Sequence, residues 1–124
     1  MVTTSLSPLS LDCTTWKNAL RSYKEQIQQR KQLLPQLAVS HKQKEDLLQI
    51  DHFDNQFYIQ LVNIHDLKHS IKNHEHMLAA GPSDALGVTQ EVILADHAHL
   101  LDDYKMLHHT LDELIGEFES FAKA

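Results

Sequence analysis

Three histidines carry the most chemical promise in this sequence: His65 and His69, one helical turn apart, and His97. Residues at i and i+4 share a helix face, so His65 and His69 present two imidazoles together wherever their segment is helical. Neutral imidazole nitrogen is a good ligand for zinc or iron, and a third imidazole from a facing helix completes a site. The other histidines have a plainer use. His41 and Glu45, His99 and Asp103, His108 and Asp112, and His109 and Glu113 also stand at i, i+4. A helix turns such spacing into surface ion pairs, each worth about a few tenths of a kcal/mol. His74 and His76 fall near the end of a helical stretch, where a charged imidazole meets the negative dipole end. Ten histidines set against a net charge of −6 can reverse the sign of the chain on acidification. Self-association is therefore expected to change around the histidine pKa of about 6.5.

Little else in the chain offers chemistry. Cys13 is the only cysteine; it lies near the expected start of the first helix, where a thiol pKa can be lowered, but no partner is evident. Gly-rich phosphate loops are absent, and the carboxylates fall on polar helix faces. The case for an enzyme rests on the metal reading alone. A lone cysteine excludes an intramolecular disulfide and suits a reducing cytoplasm. The acidic balance argues against nucleic acid, and no stretch reaches the roughly 18–20 apolar residues of a membrane helix.

The elements that must position these groups are long helices. Ile50, Phe53, Phe57, Leu61, Ile64, Leu67, Ile71 and Leu78 recur every three or four residues, the period of one apolar helix stripe. Ser40 and Gln43 fit a capping box at the start of this helix, and Gly81-Pro82 stops it at Ala80. Thr89 caps the next, whose seam runs through Ile93, His97, Leu100, Tyr104, Leu107, Leu111, Leu114, Phe118 and Phe121, in coiled-coil steps. A shorter first helix starts at Asp12 or Thr14, buries Trp16, Leu20, Tyr23, Ile27 and Leu34, and ends or kinks at Pro35. Residues 1–10 read as a flexible tail and 11–124 as one helical-bundle domain.

The two long helices, joined by the turn Ser83–Val88, should pair antiparallel with facing residue numbers summing to about 165–170. Residue 69 then faces about residue 96–101, which brings His97 toward His65 and His69. A short first helix covers only the far half of this hairpin. Ile64, Leu67, Ile71, Leu78, Ile93, Leu94 and Leu100 are left partly open, and an apolar stripe of that length calls for a partner, either a two-fold copy of the chain or another helical protein.

Two resemblances follow from the histidine motifs. His41-x-x-x-Glu45, His65-x-x-x-His69 and His97-x-x-x-x-Asp102 resemble, in order, the ligand motifs of hemerythrin-like proteins. That resemblance implies a four-helix bundle with a di-iron, oxygen-binding centre, and so a second helix broken near Asp51–Asp54. His65-Asp-Leu-Lys68-His-Ser70 looks like the motif of histidine-phosphotransfer domains, with His65 as phosphoacceptor and Lys68 steadying the phosphate; that family has glycine where this chain has His69. Overall the chain resembles small bacterial helical proteins.

The expectation is an all-α antiparallel bundle of three helices, one short and two long, completed as a homodimer. The leading function is non-enzymatic: an interaction or scaffold module that self-associates through the turn-proximal half and needs no cofactor. The alternative is a zinc- or iron-binding bundle centred on His65, His69 and His97, and after it a phosphotransfer module using His65.

Overall fold

The computed structural model describes residues 2–83 and 87–124, with the side chains of 8–83 and 87–124. It is a bundle of three helices: α1 (Val2–Ser40), α2 (Lys44–Ala80) and α3 (Gln90–Lys123). The chain runs up, down and up. Lys17–Glu75 at 2.8 Å and Lys31–Asp54 at 2.5 Å register α1 antiparallel to α2. His74 with Asp96, and Phe53 with Phe118, register α2 antiparallel to α3, close to the upper end of the expected pairing sum. Asp12 with His97 and Tyr23 with Asp112 set α1 parallel to α3.

The first helix departs most from expectation. It is continuous from Val2, well ahead of Asp12 and Thr14, and passes through both Pro8 and Pro35. Residue 1 and the side chains of 2–7, part of the expected tail, lie outside the described residues. Thr14 caps nothing; its hydroxyl donates back to the Ser10 carbonyl at 3.2 Å. Proline inside a helix removes one backbone hydrogen bond and costs about 3 kcal/mol. At Pro35 that cost is offset by packing. The proline itself is exposed, while Leu34 before it is buried and Leu37 and Ala38 beyond it pack on the core.

The link between α1 and α2 shrinks accordingly. Ser40 is the last residue of α1 and donates to Leu37 at 3.3 Å, so the expected capping box does not form. Gln43 is the N-cap of α2 and makes no side-chain cap bond. At the other connection the expectations hold. Gly81 adopts φ 75° and its N–H caps α2 on Met77, a backbone conformation that costs glycine little. Thr89 accepts from the Val92 N–H at 3.1 Å and opens α3.

The placement of α1, with Asp12 on His97 and Lys17 on Glu75 at the turn end, changes what the hairpin exposes. Ile64, Leu67, Ile71, Leu78, Ile93 and Leu100 are all buried within the single chain, and of the expected interface only Leu94, at 43%, stays exposed. The stripe expected to need a second chain is covered by α1 of the same chain. The second helix is also unbroken across Asp51–Asp54, so the four helices of the hemerythrin resemblance are not formed. Among the described residues, no helix is long and apolar enough to cross a membrane.

Candidate metal centre

Among the described residues the buried polar side chains are Gln60 in mid-α2 and two histidines near the α2–α3 turn. There Cys13 of α1, His74 of α2 and His97 of α3 are buried together. Their ligand atoms (one sulfur and two imidazole nitrogens) lie within 4.8 Å of one another. Each helix contributes one. The positions follow from the stripes: Cys13 precedes Trp16 and Leu20 at steps of three and four, His74 sits between Ile71 and Leu78, and His97 lies between Ile93 and Leu100. All three are core positions that happen to carry ligating atoms.

Two carboxylates hold the imidazoles in place. His74 Nδ1 lies 2.7 Å from Asp96 Oδ2, and His97 Nε2 lies 3.0 Å from Asp12 Oδ2. Between the rings, His74 Nε2 and His97 Nδ1 are 2.9 Å apart. Trp16 covers the far face of the pair, its ring centroid 4.9 Å from that of His97. The carboxylates are half exposed, at 42% for Asp96 and 53% for Asp12, so the cluster begins at solvent and ends in the core.

Counting protons shows what this chain of contacts requires. Two neutral imidazoles carry two N–H protons between them. When each carboxylate accepts from its ring, both are used, one on His74 Nδ1 and one on His97 Nε2. That leaves two lone pairs facing each other across 2.9 Å. In the metal-free chain the contact is relieved when one ring carries its N–H on the inner nitrogen and donates to the other. A metal ion between the nitrogens relieves it with both carboxylate contacts kept. Tetrahedral zinc at about 2.0–2.1 Å from each nitrogen needs the nitrogens about 3.3 Å apart. The observed spacing suits an N–H···N hydrogen bond between the rings, and opening it by about 0.4 Å admits the metal. The carboxylate–histidine arrangement is the one that orients metal-binding imidazoles, because the second ring nitrogen is fixed as a donor.

Burial holds the metal-free cluster neutral. The Cys13 thiol pKa is raised to about 11, first by burial and then by the charges of Glu75 and Asp12. This is opposite to the lowering expected at a helix start, because α1 begins far upstream and Cys13 is interior. The pKa of His74 is lowered, chiefly by burial, against the pull of Asp96, and His97 adds to the lowering. A divalent cation would replace the thiol proton and stand opposite the charges of Glu75 and Asp12, which add to the rise of the Cys13 pKa. The triad is therefore geometrically able to coordinate zinc or iron.

Of the three expected ligands, only His97 joins this group. His65 and His69 are exposed and line a separate cleft with Lys24, Lys68 and Lys72. The helix face is the main reason: His74 lies on the buried stripe of Ile64, Leu67, Ile71 and Leu78, whereas His65 and His69 lie off it. The register sets His97 against His74 just past the upper end of the expected pairing. The hemerythrin motifs are dispersed as well. His41 packs on Phe121 at the opposite end of the bundle, and Glu45 and Asp102 are exposed. The surface pairs expected for His108–Asp112 and His109–Glu113 form at 3.2 and 2.6 Å. His41 instead contacts the Leu37 carbonyl and Ser40.

Fold and site together define a small all-α bundle with, among the described residues, one buried Cys/His/His cluster. Comparison with protein-family models, curated proteins and solved structures finds no match.

Proposed function

We propose that this protein is a metal-binding helical bundle that takes one Zn²⁺ through Cys13, His74 and His97. The observation that carries the reading is the convergence of those three ligand atoms within 4.8 Å, one from each helix. A thiolate with two imidazoles is a borderline-soft donor set, which suits zinc and disfavours magnesium or calcium. Iron(II) is the nearest competitor for the same nitrogen and sulfur ligands.

Asp96 and Asp12 serve as positioning residues, each holding one imidazole with its free nitrogen turned inward. Bound metal would join α1, α2 and α3 at a single point, and its free energy of binding would add to that of folding. Three protein ligands also leave a fourth coordination position open. The role we assign is binding, with no catalytic step.

The test is metal content per chain on untagged protein, purified without added metal and then offered Zn²⁺. One equivalent per chain, retained through desalting and lost in Cys13→Ala and in His97→Ala, supports the reading. No uptake, or uptake undiminished in both variants, overturns it. Folding of the variants is checked by helical circular dichroism.

A further inference from the structure

A second group of side chains lies apart from the metal centre. His65, Lys68, His69 and Lys72 stand at i, i+3, i+4 and i+7 on α2, one continuous face. They border a cleft with Lys24 of α1, floored by Leu61 and Ile64. Its volume is about 120 Å³, about four times the share of one water in the liquid. That is room for a single tetrahedral oxyanion.

The charge of this cleft is unbalanced. The chain carries 17 acidic residues against 11 lysines and arginines, so an acidic neighbour should be easy to find. Lys17, beside the cleft, has one in Glu75 at 2.8 Å. Among the described residues, Arg21, Lys24, Lys68 and Lys72 form no ion pair, whereas Lys31 and Arg30 further along α1 do. Lys68 feels the consequence: burial lowers its pKa, and the charges of Lys24, Arg21, Lys72 and Lys17 lower it further. Like charges held together without a counter-charge cost stability. Such a cost is recovered when an anion binds, because several N–H donors then meet one charged acceptor.

We propose that this cleft binds one phosphoryl-sized oxyanion, held by Lys24, Lys68 and Lys72, with His65 and His69 as further donors at its rim. The ligand is free inorganic phosphate or the phosphate group of a small monoester, since the enclosed part recognises only the phosphoryl group. An extended polyanion fits less well. The contact area is one short cleft, and the surrounding surface belongs to a chain of net charge −6, which repels a long phosphate backbone.

The experiment follows the backbone amides of residues 61–72 and the ring resonances of His65 and His69 by nuclear magnetic resonance. The full chain is titrated with sodium phosphate, or with glycerol 3-phosphate, against sodium chloride at equal ionic strength and constant pH. Saturable shifts confined to this face support the proposal. Saturation by phosphate alone assigns the free anion, and saturation by both assigns the phosphoryl group of a larger molecule. Lys68→Gln and, separately, the exposed Lys72→Gln should each weaken binding at least about tenfold, the order of one charge-assisted hydrogen bond. Exposed Lys105→Gln should leave binding unchanged. Shifts that chloride reproduces, that do not saturate, or that survive both cleft variants overturn the proposal. No metal is added, so the outcome is independent of the metal centre.

Discussion

The two ends of this bundle are built on the same seams and filled with opposite chemistry. At the end away from the α2–α3 turn, Phe53, Phe57, Phe118 and Phe121 meet with ring centroids 5.3–6.0 Å apart. At the turn end the equivalent stripe positions hold Cys13, His74 and His97, linked outward to Asp12 and Asp96. The aromatic end stabilises by burying apolar area and by edge-to-face ring contacts, each pair adding about 0.5–1.5 kcal/mol. The polar end buries groups that are costly unless every lone pair and proton is matched. A core built only for stability would have placed Leu or Phe at all of these positions. The contrast teaches that the polar end carries a donor set able to hold a metal ion, where the aromatic end carries none of its members.

That contrast can be broken at either end. The largest effect belongs to the aromatic one. Phe57→Ala removes a fully buried ring and should cost about 3–5 kcal/mol of unfolding free energy, measured by urea denaturation. Zinc affinity per folded molecule should stay unchanged. A loss of zinc binding in the folded variant would mean that the two ends are not separable.

At the polar end, Zn²⁺ at 100 times its dissociation constant should raise the unfolding free energy by about 2.7 kcal/mol, and Cys13→Ala should abolish the gain. A gain of equal size in Cys13→Ala would place the metal elsewhere.

A smaller effect is expected one contact further out. Asp96→Asn keeps the size of the side chain but weakens its hold on His74 Nδ1 and should lower zinc affinity about tenfold to a hundredfold. Asp54→Asn, in a surface pair with Lys31, should not change it. Equal effects from the two would remove the positioning role of Asp96.

The smallest effect is a pH dependence of the metal-free protein. His74 has a lowered pKa in the folded state, from burial above all, while the unfolded chain takes up that proton near its ordinary 6.5. Below that value the unfolded state binds more protons than the folded one. The stabilising contribution is thus present above pH 6.5 and is lost as pH falls through the lower folded value. Urea midpoints should drop from about pH 7 to about pH 5, and the drop should shrink in His74→Leu. A midpoint that rises on acidification would reverse the assignment of His74 as the ring that refuses a second charge.

Much of this was legible in the sequence. Periodicity located all three helices, Gly81 and Thr89 marked the turn, and the antiparallel pairing of α2 with α3 followed from the short link. The metal centre was legible only in part, and for specific reasons. His97 stood out as the one polar member of its seam. His74 occupies the same kind of position, between Ile71 and Leu78, but its place near the helix end suggested a role at the dipole. Cys13 continues the Trp16–Leu20–Tyr23 stripe by one step, yet its place at the expected start of the first helix suggests a thiol at the helix end and not a core position. Pro35 was the decisive misdirection: local proline chemistry predicts a short α1, and packing of Leu34 and Leu37 overrides it. Set against the far half of the hairpin alone, the first helix leaves both the approach of Cys13 to His74 and the cover over Ile64, Ile71 and Ile93 unanticipated. Asp12 and Lys17 in fact reach His97 and Glu75. The helix face then decided between His69 and His74, since His74 lies on the buried stripe of α2 and His69 lies off it.

The most direct test of the account is X-ray absorption at the zinc edge of the loaded, untagged protein. The account predicts one sulfur at about 2.3 Å and two imidazole nitrogens at about 2.0–2.1 Å, with the sulfur shell absent in Cys13→Ala. A first shell of nitrogen and oxygen only, with no sulfur in the unaltered protein, would contradict it and return the search to the exposed histidines.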